Sequence, residues 1–527
     1  MKRIICDVLV IGSGIAGGTA ALKAADAGLS VIVLNRNKDP EESNTRYAQG
    51  GIIWEGDDDS PELLAHDIDI AGDEVGNPGA IKIVAGEGPM LVKDFLIDRL
   101  KVPFDVDAAG RIHRTSEAAH SKARIIHVGD KTGWEIQKAL IRELKKHPNI
   151  RLFSGNTAID LISTTHHVRK REAIYDPTRI LGAYVLDGRS EIKTTLASRT
   201  IIASGGIGAL WKYTTNPDGA RGDGIAMVIR AGASEDIINM EYMQFHPTVF
   251  IGKKDERFLI SEAVRGEGAL LIDHKGKRFM AEYSPELLEL APRDEVSRAI
   301  HFHMQRENTP CVFLDCSPIC AKGVDLEKRF PKIFAKCLES GIDIRKDLIP
   351  IAPAAHYLCG GIRVDEFSKT RLTNLYAVGE CACPGHDGAN RLASTSLMAG
   401  LVFGNRAATH IMETFNEEMF ENWQIPDWDA SDSTIDFYPD KINPYFDEMR
   451  DIMWNNVGIV RSRGKLLEAY RKTYLLLGEV EMIYKMAKIS DGLIGLKNSL
   501  EVALIVVQSA LRNKVNRGCH FRSDGQN

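Results

Sequence analysis

The chain has 527 residues, 44% of them apolar and 26% charged, with a net charge of −6. That length exceeds a single core and predicts two to four domains of ordinary globular material. The mildly acidic balance without a basic stripe excludes nucleic acid as a main partner, and no unbroken apolar run reaches the length of a membrane span.

Nine cysteines, an odd number without a secreted framework, read as reduced thiols in a cytoplasm. Cys311, Cys316 and Cys320 lie near His301 and His303, but their spacing matches no zinc pattern, so no metal is expected. The text enters its first strand almost at once, so no leader segment is expected.

That strand, Val8-Leu9-Val10-Ile11, runs into Gly12-Ser13-Gly14-Ile15-Ala16-Gly17, then an alanine-rich helix from Thr19 to Ala27 and a second strand, Val31 to Leu34. Gly12 permits the sharp turn, Gly14 lets the backbone approach a pyrophosphate, and Gly17 lets helix and strand pack closely. The helix start offers free N–H groups to the phosphates. A nicotinamide site would carry Asp or Glu after the second strand; here Asn35 and Arg36 stand there. A flavin dinucleotide is the better candidate, with Arg36 free to meet a phosphate or the adenosine end.

Asn44-Thr45-Arg46-Tyr47-Ala48-Gln49-Gly50-Gly51 is a polar stretch ending in paired glycines, which allow backbone to approach a flat ring or a phosphate. Helical spacing fills Glu62 to Leu100, with a break at Gly76 to Pro78. Arg111 to Asp130 concentrates Arg114, Glu117, His120, Ser121, Arg124 and His127, a loop lining a cleft. Trp134 to Leu144 reads as an amphipathic helix. Strands follow over 150–162, 183–187 and 194–202, and the last runs into Gly205-Gly206. Asp223 precedes a short helix. Pro247 keeps His246 in an extended or loop segment.

From about 248 to 351 the text reads as a separate α+β insertion. Pro292 fits the first turn of a helix, which places Arg293 at the unfavourable end of the helix dipole, a costly position unless an anion sits beside it. Beyond it come His356, a strand ending in Gly379-Glu380, and Arg391 ahead of a serine-rich helix start at Ser394 to Leu397. A carboxylate at Glu380 suits ribityl hydroxyls, and Ser396 and Leu397 at a helix start suit a flavin ring or phosphate. Residues 418–443 are acidic, proline-bearing and weakly periodic, a linker; 444–527 is mostly helical.

These motifs, in this order, resemble the fumarate reductase and succinate dehydrogenase flavoprotein family from end to end: GSGIAG, NTRYAQGGI, TTNPDGARGDG, QFHPT, LAPRD, PAAHYLCGGI, LYAVGE, GANRLASTSL and a tail with RGCHFRSD. The resemblance implies a Rossmann-like α/β domain for FAD (1–247 and 352–417), interrupted by a mobile α+β capping domain (248–351) and followed by the helical domain. It assigns cofactor contacts to the fingerprint, Arg36, the 44–51 stretch, Asp223, Glu380, Ser396 and Leu397. Relatives linked to quinones carry a flavin-bonding histidine where Asn44 stands, so the FAD is expected to be non-covalent.

Within the family, Glu117 ahead of His120-Ser121 points to the branch whose members oxidise L-aspartate, although the usual glycines before that His-Ser are Ala118-Ala119 here. The resemblance places His246, His356, Arg293 and Arg391 around the substrate carboxylates, Glu117 at the ammonium, and a proton-transfer role on Arg293. Succinate lacks the ammonium, so Glu117 would face a second acid. The implied reaction is oxidation of L-aspartate to iminoaspartate, with dioxygen (giving hydrogen peroxide) or fumarate as acceptor, at the head of NAD biosynthesis and functionally linked to quinolinate synthase. The rival reading is a soluble fumarate reductase or succinate dehydrogenase flavoprotein.

Overall fold

A computed structural model describes residues 3–252, 257–431 and 433–526. Its centre is a seven-stranded sheet. Ile4–Ile11 lies between Val31–Asn35 and Ile192–Ile202, parallel to both, and Val31–Asn35 pairs on its other edge with Ile150–Ser154. Ile180–Leu186 and Thr157–Ser163 extend the sheet antiparallel, and Leu375–Ala377 adds a parallel strand beside Ile192–Ile202. Val8 to Ile11 and Val31 to Leu34 are all buried, as unbroken apolar strands must be when both faces of a parallel sheet are covered.

Helix Ile15–Asp26 covers one face with Ala20, Ala21, Ala24 and Ala25 and packs on helix Thr395–Thr414. The approach is close: a Cβ at Gly404 would stand 2.5 Å from the Ala16 carbonyl oxygen. The parallel strands end at Gly12, at Ala203-Ser204-Gly205 and at Gly379, so their carboxyl ends form one rim.

The insertion has its own five-stranded antiparallel sheet, ordered 257–259, 243–251, 349–358, 312–315, 270–272, and its own apolar core from Phe250 to Ile351. Met243–Ile251 and Ile349–Leu358 pair with each other from Met243↔Leu358 to Phe250↔Ile351. The insertion therefore leaves and rejoins the first domain on one hydrogen-bonded ribbon, and the boundaries expected at 247 and 352 fall inside paired strands.

The first part of the segment 418–443, expected as a linker, is packed. Ile425 is buried, with Phe420, Trp423 and Trp428 against it, in a cluster with Tyr184 and Leu196, and helix Pro439–Asn456 takes up its last residues. Its few apolar residues are large aromatics that bury area without a helical period, which is why composition hid them. The C-terminal domain adds helices Arg463–Met486 and Asp491–Arg512. Interrupted by charges, Asp491–Arg512 is nevertheless long and apolar enough to cross a membrane by length and composition, with a mean hydropathy of 1.3. In the fold 67% of that window is buried, which suits a core helix.

Candidate active site

One cavity of about 930 Å³ runs from the carboxyl rim of the parallel sheet to the sheet of the insertion. Every residue assigned above to cofactor or substrate lines it except Arg46; of the loop expected to line a cleft, Glu117 does so, and Arg114, His120, Ser121, Arg124 and His127 do not. Arg46 turns away to Asp39 at 2.6 Å and Glu42 at 3.5 Å. It sits in the short 3₁₀ turn Asn44–Tyr47, where neighbouring residues point in different directions, so a linear motif cannot tell lining from backing.

The cofactor half is built for close backbone approach. Gly12 has φ +120°, and a Cβ there would lie 2.1 Å from the Ala203 carbonyl oxygen. Gly14 caps helix Ile15–Asp26 without a side-chain hydrogen bond, so its first N–H groups remain available, apart from Ile15, which donates to Thr45 Oγ1 at 3.1 Å. Asn35 does not face outward; its amide donates to Ser13 Oγ at 2.5 Å and to the Pro40 carbonyl. Arg36 is not free: it pairs with Asp491 of the C-terminal helix at 3.2 Å. Asp491 also holds the buried Arg221, and Arg221 in turn holds Asp223. This end of the cavity is thus buttressed by the helical domain.

At the other end of this half, Glu380 accepts from Asn44 Nδ2 at 2.8 Å and from the Leu358 N–H at 3.1 Å. Burial still pushes its carboxyl up to about 7. The Ser43 hydroxyl and Gln49 Oε1 are buried without a protein partner among the described residues. Glycine cradle, uncapped helix start, carboxylate and orphaned polar atoms fit FAD.

The other half of the cavity brings together Glu117, His246, Glu262, Arg293, His356 and Arg391. His246 and His356 sit on the paired strands of the ribbon, their rings 5.0 Å apart. Burial, and then the nearby Arg293, hold both imidazoles well below their ordinary pKa, so both are neutral. Thr248 N–H donates to His246 Nδ1 at 3.3 Å, which leaves the proton on Nε2. Arg391 donates to His356 Nε2 at 3.3 Å, so His356 carries its proton on Nδ1, 2.7 Å from Thr215 Oγ1. The Arg391 guanidinium lies 4.2 Å over the Tyr357 ring, and its Nε has no partner among the described residues.

The anion that Arg293 requires at its helix start is supplied by the protein. Glu262 accepts from Arg293 Nε at 2.5 Å and stands 3.6 Å from the buried Arg265. Burial opposes charge on Glu262, but Arg293 and Arg265 outweigh it and hold its carboxyl below the ordinary range. Glu117 goes the other way: burial, then the charge of Glu262, raise it, while Ser394 Oγ donates to it at 2.6 Å. The two carboxyls are thereby split into an ionised partner for arginine and one pushed toward its neutral form. A Cβ at Gly50 would stand 2.5 Å from Glu117 Oε1, so the first glycine of the pair makes room for this carboxylate.

Sequence reading missed Glu262, Arg265 and Thr215, and named Ser394 without its pairing to Glu117. Glu262 and Arg265 stand three apart after Ser261, which in text looks like any surface helix pair; only burial at 3% and 1% exposure marks them.

Residues 7–397 match the family model described as an FAD binding domain, and 446–527 match that of the fumarate reductase flavoprotein C-terminus. The chain is 41% identical to L-aspartate oxidase 1 of Ralstonia nicotianae, over 98% of this chain and 95% of that one. It is also 41% identical to L-aspartate oxidase of Halobacterium salinarum, over 98% and 96%. Among solved structures, a point mutant of the E. coli quinol fumarate reductase flavoprotein superposes with a TM-score of 0.85 at 26% identity, covering 100% of this chain and 93% of that one. Full-length identity at this level, on a cavity shaped for FAD and a dicarboxylate, places the chain in the fumarate reductase and succinate dehydrogenase flavoprotein family, in its L-aspartate oxidase branch.

Proposed function

We propose that this protein oxidises L-aspartate to iminoaspartate using FAD, with dioxygen (yielding hydrogen peroxide) or fumarate as electron acceptor. The observation that carries the reading is a buried carboxyl, Glu117, in one cavity with two arginines and two neutral histidines. L-Aspartate offers the complement, two carboxylates and one ammonium.

FAD, when bound, supplies the two-electron acceptor for the hydride leaving Cα. The protein supplies binding and orientation. Arg391, with its unpartnered Nε, holds one carboxylate, and His356, accepting from its Nη2 at 3.3 Å, orients that guanidinium. Arg293 and the Nε2–H of His246 hold the other, the guanidinium giving a planar fork. Glu117, raised above the ordinary carboxyl range, takes a proton from the substrate ammonium or pairs with it. The amine lone pair released in that way assists hydride loss from Cα. The family resemblance gives Arg293, held at Nε by Glu262, the proton transfer to carbon when fumarate is reduced.

Asn44 offers an amide rather than a nucleophilic ring where covalent relatives bond the flavin, which supports non-covalent FAD. Nine unpaired cysteines support a reducing compartment, the cytoplasm. The product suits a quinolinate synthase acting next toward NAD.

The test is anaerobic addition of L-aspartate, D-aspartate, succinate and fumarate to the FAD-loaded protein. Bleaching of the flavin by L-aspartate, and recolouring by air or fumarate, is the expected result. Bleaching by succinate and not L-aspartate would move the assignment to a soluble fumarate reductase or succinate dehydrogenase flavoprotein.

A further inference from the structure

Behind the substrate wall lies a chain of hydrogen bonds that ends in the C-terminal tail. Gln244 is fully buried and does not line the cavity. Its Oε1 accepts from Arg293 Nη1 at 3.1 Å and from Arg391 Nη2 at 3.5 Å. Its Nε2 donates to Asn390 Oδ1 at 2.8 Å and to the Arg391 carbonyl at 2.9 Å. The amide cannot be reversed, since that would set N–H groups against two guanidiniums. One oxygen atom thus fixes the spacing of the two arginines.

Asn390 is fixed in turn. Its Nδ2 donates to the Ala71 carbonyl at 3.1 Å, and its Oδ1 also accepts from Cys519 Sγ at 3.3 Å. Cys519 belongs to RGCHFRSD, the tail motif that no catalytic role has absorbed. The Cys519 N–H donates to the Ala389 carbonyl at 2.9 Å, directly before Asn390 and Arg391. The Gly518 carbonyl accepts from Arg298 Nη1 at 2.6 Å, and Arg298 lies on the helix that starts at Arg293. From behind, Arg461 donates to His520 Nδ1 at 2.8 Å and anchors the tail to the helical domain. A segment more than 120 positions from either arginine in sequence thereby touches the elements that carry both.

We propose that Gln244 is a positioning residue that sets the distance between Arg293 and Arg391, and that the tail around Gly518 and Cys519 holds it in register through Asn390 and Arg298. Substrate length selectivity then depends on a contact made outside the cavity. The inference rests on the dicarboxylate reading of the site.

The test is succinate titration of the FAD-loaded protein, read as perturbation of the flavin spectrum, so that no turnover is needed. Gln244→Leu is expected to weaken succinate binding about tenfold while FAD affinity stays within about twofold. Cys519→Ala is expected to weaken it about threefold, and Cys519→Ser, which keeps a donor, to restore it. In the Gln244→Leu background the Cys519→Ala effect should vanish, because the two act through one path. Independent, multiplying effects overturn the proposal, as does loss of FAD in step with succinate. Should Gln244→Leu not fold, equal affinities for wild type, Cys519→Ser, Cys519→Ala and Arg298→Ala overturn it by themselves. Failure of the wild type to bind succinate would instead remove the dicarboxylate reading, so the two failures are distinct.

Discussion

At the scale of single residues, the site turns on how two carboxyls are kept apart in charge. Glu262 has two guanidiniums and stays ionised; Glu117 has a hydroxyl and a like-charged neighbour and is raised above the ordinary carboxyl range. An ammonium favours the ionised form of Glu117, whereas a second diacid carboxylate favours the neutral one. Aspartate KM is therefore expected to climb as pH falls through the raised pKa, while succinate binding tightens over the same range. Glu117→Gln should flatten both profiles and lower aspartate kcat/KM by about 10- to 100-fold, the value of one charged hydrogen bond. Parallel pH profiles for the two ligands would remove Glu117 from the ammonium position. Glu117 could be picked out by its motif, but its partners could not. Ser394 lies 277 positions away, and the pairing of Arg293 with Glu262 spans 31.

Among the elements, the fingerprint strand, turn and helix were legible because local pattern and tertiary role agree: a fully buried strand, an obligatory positive φ and a small-residue helix face. The turn Asn44–Tyr47 was legible as lining the cavity apart from Arg46, yet its support was not. A Cβ at Gly133, on helix Thr132–Lys146, would stand 1.9 Å from the Thr45 carbonyl oxygen, so this helix start props the turn from behind. Gly133→Ala should push the turn toward the flavin and weaken FAD binding by about tenfold or more, the overpacking cost concentrated on one loop. Fluorescence quenching of added FAD checks it, with unchanged affinity counting against the prop. The expected linker at 418–443 shows the opposite failure. Its aromatics are spaced irregularly, so periodicity missed a segment that packs beside Tyr184 of the sheet.

Over the whole molecule, three bodies converge on one cavity. The parallel sheet supplies the cradle, the ribbon from the insertion supplies the histidines, and the helical domain reaches both ends. At the end of the cavity lined by Arg36, Asp491 ties the last long helix to Arg36, Arg221 and Thr157. Asp491→Ala leaves the buried Arg221 with the Asp223 carboxylate and the backbone carbonyl of residue 491, and should cost about 1–3 kcal/mol in apoprotein stability together with weaker FAD binding. Denaturant midpoints and FAD titration of the variant check both; a stability loss without any change in FAD affinity would mean that the helical domain only props the fold. The sequence by itself determined the cofactor class, the family and the motif residues that line the cavity, because these depend on short motifs whose chemistry is local: glycines where backbone must approach, forks where carboxylates bind. Tertiary structure alone decided which charges are neutralised by which, that Arg46 faces away, that Arg36 is tied to the far end of the chain, and that the tail stands behind both arginines. Those are contacts between residues tens to hundreds of positions apart, and their energies come from burial, which a linear text does not record.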